Sequence, residues 1–274
     1  MNRDDRAAAT AWSVLGTPLL CTDYDGLAAR CRAWVGEQRV IAIEFANVHI
    51  VTLRRHERGF REESAAFDVF LPDGAPVAWC LNRAGADIRR AVCGPTFMGK
   101  MLAGAAGSST HYLLGGSEEC GQILREKFTD SKTGIRIIGG FHGMCGNDGT
   151  LEGEAEKEVI DEINRLAPDY IWVGFGGSKQ VTWLKRHKHL LRKGVILGVG
   201  FAFDVNAGVK RDAPEWMQRN GLTWLFRLCS EPRRLAWRYV RYNSLFLSYL
   251  LLDGVRGCAV GRPANFAVAN RGQE

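Results

Sequence analysis

Six short apolar runs recur along the chain, each closed by polar or glycine-rich residues: "RVIAIEFA" at 39–46, "AAFDVFL" at 65–71, "THYLLGG" at 110–116, "GIRIIGG" at 134–140, "DYIWVGF" at 169–175 and "GVILGVG" at 194–200. Nearly continuous hydrophobicity of this kind fits strands covered on both faces. Between them, "SEECGQILREKF" at 117–128, "EGEAEKEVIDEINRL" at 152–166 and "SKQVTWLKRHKHLLRK" at 178–193 repeat apolar residues at helical spacing. The alternation predicts an α/β fold, a doubly wound and mostly parallel sheet whose ligands bind beyond the strand C-termini. Residues 213–252 contain no strand candidate and read as two or three appended helices, so the chain divides into a sheet domain, 1–212, and a helical, basic appendage, 213–274.

The strand ends carry the candidate chemistry. They read "ANVH", "PDG", "GGSEE", "GGFHGM", "GGSKQ" and "GFAFDVNAG" in chain order. In a parallel sheet they share one edge, where glycine permits close approach of N–H groups to a phosphate and each following helix adds a positive dipole. Gly174-Phe175-Gly176 and Gly198-Val199-Gly200 lack the third glycine of a dinucleotide fingerprint, which argues against a nicotinamide or flavin cofactor. Asp73, before Gly74, reads either as a turn residue or as a carboxylate positioned for general base work. His142, among glycines, reads either as a structural histidine or as a ligand contact. His187 and His189 are two apart, cannot form an i, i+4 metal pair, and read as a solvated basic helix face.

Composition narrows the class. With 274 residues, 46% apolar and 24% charged, the chain supports a substantial core. Its start, "MNRDDRAAATAW", has acids among its first residues and leads into no apolar leader segment, so the expectation is a cytoplasmic chain. The eight cysteines are scattered singly with no C-x-x-C pair, which points to reduced thiols and no metal site. No apolar run approaches the ~20 residues of a spanning helix; "LFLSYLLL" at 245–252 comes nearest. The formal charge is +6, and between Leu225 and Arg262 seven arginines face only Glu231 and Asp253, a local net of +5. Such a segment seeks an anionic partner. It carries no nucleic-acid-binding motif, which excludes that class. "WRYVRYNSLFLSYLLL" instead suits an interfacial helix beside anionic headgroups, the competing reading being a helix packed on the core or on another subunit of a homo-oligomer.

The blocks "FANVHI", "LPDGAPV", "AGADIRRAVCG", "YLLGG", "GFHG", "PDYIWVGFGGSKQVTWL", "GVGFAFDVNAG" and "APEWMQRNGLTWLFRLCSEPRR" together resemble the WecG/TagA/CpsF glycosyltransferases, over about residues 40–240. The resemblance implies a Rossmann-like domain with a helical C-terminal appendage that reaches the membrane and completes the active site. It implies an inverting, metal-independent transfer, without cofactor, from a UDP-sugar to a sugar on a polyprenyl diphosphate, in surface polysaccharide, teichoic acid linkage-unit or exopolysaccharide assembly. Carried over by position, the family's proposed base falls on Asp73, and further site positions fall on Asn47, Lys179, Gln180, Asp204, Gly208 and Arg227. The E-P-x-R segment falls on Glu231, Pro232 and Arg234. For the leaving diphosphate this reading assigns N–H groups near Gly115, Gly116, Gly176 and Gly177 together with Arg227, Arg233 and Arg234, leaving Arg238 and Arg241 as solvated charges. The chain departs from the family pattern at Phe45, Thr96, Ser178, Val181, Asp212 and Thr223. A homologue that binds sugar nucleotide or lipid carrier without turnover is the alternative those departures raise.

Overall fold

The computed structural model describes residues 10–88, 91–105, 107–129, 132–151, 155–255 and 257–261. Arg89 and Arg90 of the "AGADIRRAVCG" block, the first three residues of the helix expected at 152–166, and Arg256 and Arg262 of the basic segment lie outside them.

An antiparallel hairpin, β1 (Thr10–Val14) and β2 (Thr17–Cys21), leads into α1 (Tyr24–Gly36). The chain continues through β3 (Val40–Ala46), α2 (Val48–His56), α3 (Arg58–Ser64), β4 (Val69–Pro72), α4 (Ala75–Arg83) and α5 (Gly94–Lys100). Next come β5 (Ser109–Leu114), α6 (Glu118–Phe128), β6 (Ile135–Phe141), α7 (Ala155–Leu166), β7 (Tyr170–Val173), α8 (Gly177–His187), β8 (Gly194–Gly198) and α9 (Ala202–Ala207). The C-terminal helices are α10 (Glu215–Arg219), α11 (Thr223–Ser230) and the 24-residue α12 (Pro232–Val255), followed by β9 (Val260–Gly261).

Six strands form one parallel sheet in the order β4-β3-β8-β7-β5-β6, a doubly wound, Rossmann-like arrangement that agrees with the expected fold. All six expected strands are present, each within a few residues of the expected bounds. Alternate residues face opposite sides, as pleating requires. Ile171 and Ile196 enter the core shared with α2, α7, α8 and α12, whereas Trp172 and Leu197 enter the core shared with α1, α5 and α6. Burial on both faces explains why the strands read as unbroken apolar runs. The small sheet β2-β1-β9 has no counterpart in the sequence reading, because its pairing joins the two ends of the described chain.

The helix expected at 178–193 stops at His187, and a single tighter turn follows at Lys188–Leu190. Trp183 is fully buried on the sheet. The solvated reading of His187 is corrected: its ring is buried, stacks on Trp183, donates its Nδ1–H to the Trp183 carbonyl 2.8 Å away, and pairs with Glu156. His189 is exposed.

The C-terminal helices are tied to the sheet domain at several points. Arg55 of α2 donates twice to the buried Asp253 of α12, at 2.8 and 3.0 Å. Nearby, His56 meets the Tyr249 hydroxyl at 2.7 Å, and the Thr52 hydroxyl donates to the Tyr242 carbonyl at 3.4 Å.

Candidate active site

Asp73 stands where β4 ends. Its N–H donates to the Ala46 carbonyl at 3.2 Å, extending the ladder, and Gly74 then turns the chain into α4 with φ +87°. The carboxyl is half-buried. Burial raises its pKa from 3.8 to about 6, opposed by a hydrogen bond from the Cys93 thiol, by the charge of Arg227 and by the Gly74 N–H. Cys93 is held in turn by α1, since its N–H donates to the Tyr24 hydroxyl at 3.1 Å, and that hydroxyl also bonds Thr96. A carboxylate with this affinity is ionised about ten to one at pH 7 and still basic enough to accept a proton.

Arg227 of α11 reaches the same end of the sheet, its guanidinium 3.6 Å from the centre of the Phe201 ring. Stacking of this kind fixes the plane of a guanidinium while leaving its N–H edge open. Arg238 of α12 lies nearby, and the expectation of a solvated charge is corrected. It is half-buried, its Nε has no hydrogen-bond partner, and burial together with Arg234 and Arg227 pulls its pKa down. Burial of the His49 ring in α2, followed by the charge of Arg238, pushes the His49 pKa down to about 4. Arg241 is exposed over Tyr242, as expected.

Beneath this end lies a buried carboxyl that the sequence reading missed. Glu44, in β3, accepts from Gln180 Nε2 at both oxygens, 2.9 and 2.7 Å, and both side chains are buried. Gly198 sits opposite Glu44 in the register, and a Cβ there would lie 2.6 Å from Glu44 and 2.8 Å from Gln180, so the glycine makes room for the pair. Burial raises the Glu44 pKa well above the usual range, Gln180 opposes the shift, and Asp73 adds to it. Gln180 therefore begins α8 but turns into the protein, while Lys179 beside it is half-exposed and its charge reaches Cys145 in the loop after β6.

The glycine pairs do two different jobs. The Gly115 N–H is already spent on the Phe141 carbonyl at 2.8 Å. A Cβ on Gly115 or Gly116 would strike Phe175 at 2.9 Å or Phe203 at 2.7 Å, so this pair serves ring packing. Gly176 and Gly177 have φ +75° and +52°, and a Cβ on either would meet open space. They start α8 without a side-chain cap, leaving a helix N-terminus facing the edge. Asn47 is committed to capping α2, its Oδ1 accepting from His49 and Ile50 at 3.0 and 3.3 Å.

Other candidates lie further off. Asp73 and His142 follow opposite edge strands, five strand spacings or about 24 Å apart. The His142 ring packs against Gly121 of α6, where a Cβ would come within 1.9 Å of it. Asp204 accepts from Lys210 at 2.8 Å and from the Cys120 thiol at 3.6 Å, and Lys210 also pairs with Glu231 at 3.1 Å. Glu231 holds Arg234, and these groups with Pro232 and Arg233 line a shallow depression of about 610 Å³. Among the described residues no group of His, Cys, Asp and Glu side chains could hold a metal ion.

The strand-end carboxyl, the arginine whose charge it feels and the open helix N-terminus suit transfer between two anionic or hydroxyl-bearing substrates. A sequence profile of the Glycosyl transferase WecG/TagA/CpsF family matches residues 12–258. The chain belongs to this family. Among its relatives, an N-acetylglucosaminyldiphosphoundecaprenol N-acetyl-beta-D-mannosaminyltransferase of Bacillus subtilis (strain 168) is 27% identical over 205 residues, 74% of this chain and 75% of the relative. One of the same name from Staphylococcus aureus (strain MRSA252) is 24% identical over 239 residues, 86% of this chain and 91% of the relative. The protein is thus a glycosyltransferase, and its core reaction is sugar transfer to an acceptor. Of the groups around Asp73, sequence reasoning found Arg227 and Gln180 but not Glu44, Tyr24 or Cys93. A carboxylate inside "RVIAIEFA" was the one available signal, since an acid in a doubly covered strand is buried and needs a partner.

Proposed function

We propose that the protein moves a hexosyl group, with inversion and without a metal ion, from a UDP-sugar to a sugar on a polyprenyl diphosphate in surface polysaccharide assembly. The observation that carries this is Asp73 at a strand end, with a pKa near 6 and Arg227 stacked on Phe201 beside it. Asp73 is the general base. It takes the acceptor hydroxyl proton as the oxygen bonds to the donor C1, while the C1–O bond to UDP breaks on the opposite face and its electrons leave with the diphosphate. Arg227, with Arg234 and Arg238 behind it and the open N-terminus of α8, supplies positive charge to the leaving group. Mannosaminyl transfer to a lipid-linked N-acetylglucosamine, the activity in the relatives' names, is the first pair of substrates to try.

The division at residue 212 has a functional sense in this reading: the sheet domain holds the donor, and the C-terminal helices carry the arginines and meet the bilayer. No helix among the described residues is long and apolar enough to cross a membrane. On α12, however, Trp237, Val240, Leu247, Leu251 and Val255 are exposed and fall on one stripe about 27 Å long, opposite the side that packs on α2. This stripe seats the protein peripherally on the inner face of the cell membrane. The deciding experiment presents a panel of UDP-sugars with a lipid-diphosphate N-acetylglucosamine acceptor to the wild type and to Asp73→Asn. Turnover lost in the variant with donor binding kept supports the base assignment. Binding of a donor without turnover by the wild type would replace the catalytic reading with a carrier-binding one.

A further inference from the structure

Four tryptophans are exposed: Trp79 at 57%, Trp216 at 60%, Trp224 at 44% and Trp237 at 72%. Three belong to the C-terminal helices, but Trp79 stands on α4, directly after Asp73 and Gly74. Ala75 lies one helical turn before Trp79 and so on the same face. That face touches the turn between α10 and α11, where a Cβ on Gly221 would lie 2.5 Å from the Ala75 Cβ. Trp216 and Trp224 flank the turn, and the Trp224 ring meets Tyr239 of α12 edge-on, two residues past Trp237. Three exposed indoles, Trp79, Trp216 and Trp224, therefore lie on adjoining elements from α4 to α11, beside the mouth at Asp73, whereas Trp237 points away from Tyr239 on the other side of α12. Arg83 of α4 places its guanidinium 5.1 Å from the Trp79 ring centre.

The geometry points to α4 as a second membrane-contact element, in which Trp79 and Arg83 sit in the headgroup layer of an anionic bilayer. This rests on the membrane reading of the C-terminal helices and extends it to the sheet domain. An indole with an arginine on its face suits that layer, where the ring enters the acyl boundary and the guanidinium pairs with lipid phosphate. A second copy fits less well, because a two-fold contact through this patch would set arginine against arginine. Because α4 begins two residues after Asp73, this contact brings the acceptor's diphosphate from the bilayer to the strand end.

The test is co-sedimentation of the full chain with vesicles of phosphatidylcholine, with and without phosphatidylglycerol, for the wild type, Trp79→Ala, Trp79→Phe, Arg83→Ala and Leu247→Gln/Leu251→Gln. Trp79→Ala is expected to lose about tenfold in partitioning, equivalent to ~1.4 kcal/mol. Trp79→Phe is expected to lose less, and Arg83→Ala to lose the preference for phosphatidylglycerol. Trp79 is more than half exposed, so an unchanged thermal melt separates lost binding from lost folding. Wild-type partitioning in Trp79→Ala, with the α12 variant impaired, overturns the α4 contact while leaving the helix reading standing. Wild-type partitioning in both overturns the membrane reading itself. A Trp79→Ala variant that dissociates a dimer while binding vesicles normally overturns the lipid assignment in favour of a second copy.

Discussion

Replacing Asp73 by asparagine should cut activity by orders of magnitude and stabilise the fold at the same time. The folded chain holds this carboxyl at a pKa of about 6, against 3.8 in an unperturbed state. At about 1.4 kcal/mol for each tenfold change in proton affinity, its ionised form costs the folded state up to ~3 kcal/mol. The sign follows from proton counting. Between pH 3.8 and 6 the unfolded chain has released the proton and the folded chain still holds it, so wild-type stability falls as pH rises through that window. Above pH 6 the penalty is constant. Asp73→Asn escapes it, so its melting temperature should exceed that of the wild type by several degrees at pH 8, the difference shrinking to nothing near pH 4. Meanwhile wild-type kcat/KM should climb with pH, reach half its plateau near pH 6, and fall in Asp73→Asn by a factor of roughly 10² to 10⁴. Scanning calorimetry at several pH values and steady-state transfer assays measure both halves. A kcat/KM that is flat from pH 5 to 8, or a variant melting below the wild type at pH 8, would refute the reasoning.

Further outcomes follow from the same geometry. Cys93→Ala removes a hydrogen bond that holds the Asp73 pKa down, so the acidic limb of the rate profile should move to higher pH, and Cys93→Ser should restore it. Arg227→Met should move that limb the same way, whereas Arg227→Lys should keep the limb but lose on the order of tenfold in kcat/KM with the flat stack on Phe201. Asp253→Asn leaves Arg55 without its ionic partner at the α2–α12 contact, which should cost roughly 2–3 kcal/mol and open α12 to trypsin well before the sheet domain is cut. Gly116→Ala places a Cβ at φ +76° and 2.7 Å from Phe203, so it should lower stability by roughly 2–4 kcal/mol in a denaturant melt.

What the chain order alone determined was local and periodic. Strands buried on both faces have to be apolar throughout, and helices have to repeat every three to four residues, so the six strands and their shared C-terminal edge were legible. Asp73 and the Gly176-Gly177 opening were legible with them, since both lie at strand ends. What the tertiary structure decided was which ends are neighbours. The order β4-β3-β8-β7-β5-β6 brings Asp73 beside Glu44 and sends His142 to the far edge, although nothing in either local sequence distinguishes the two cases. It also engages the Gly115 N–H at the Phe141 carbonyl, seats Phe175 and Phe203 against Gly115 and Gly116, and turns Gln180 inward to Glu44. Arg227, Arg238 and Cys93 gain their meaning only through contacts spanning tens to more than a hundred residues. Composition near each residue sets its chemistry; the charges that tune that chemistry arrive from elsewhere in the chain, and only the fold determines their distance.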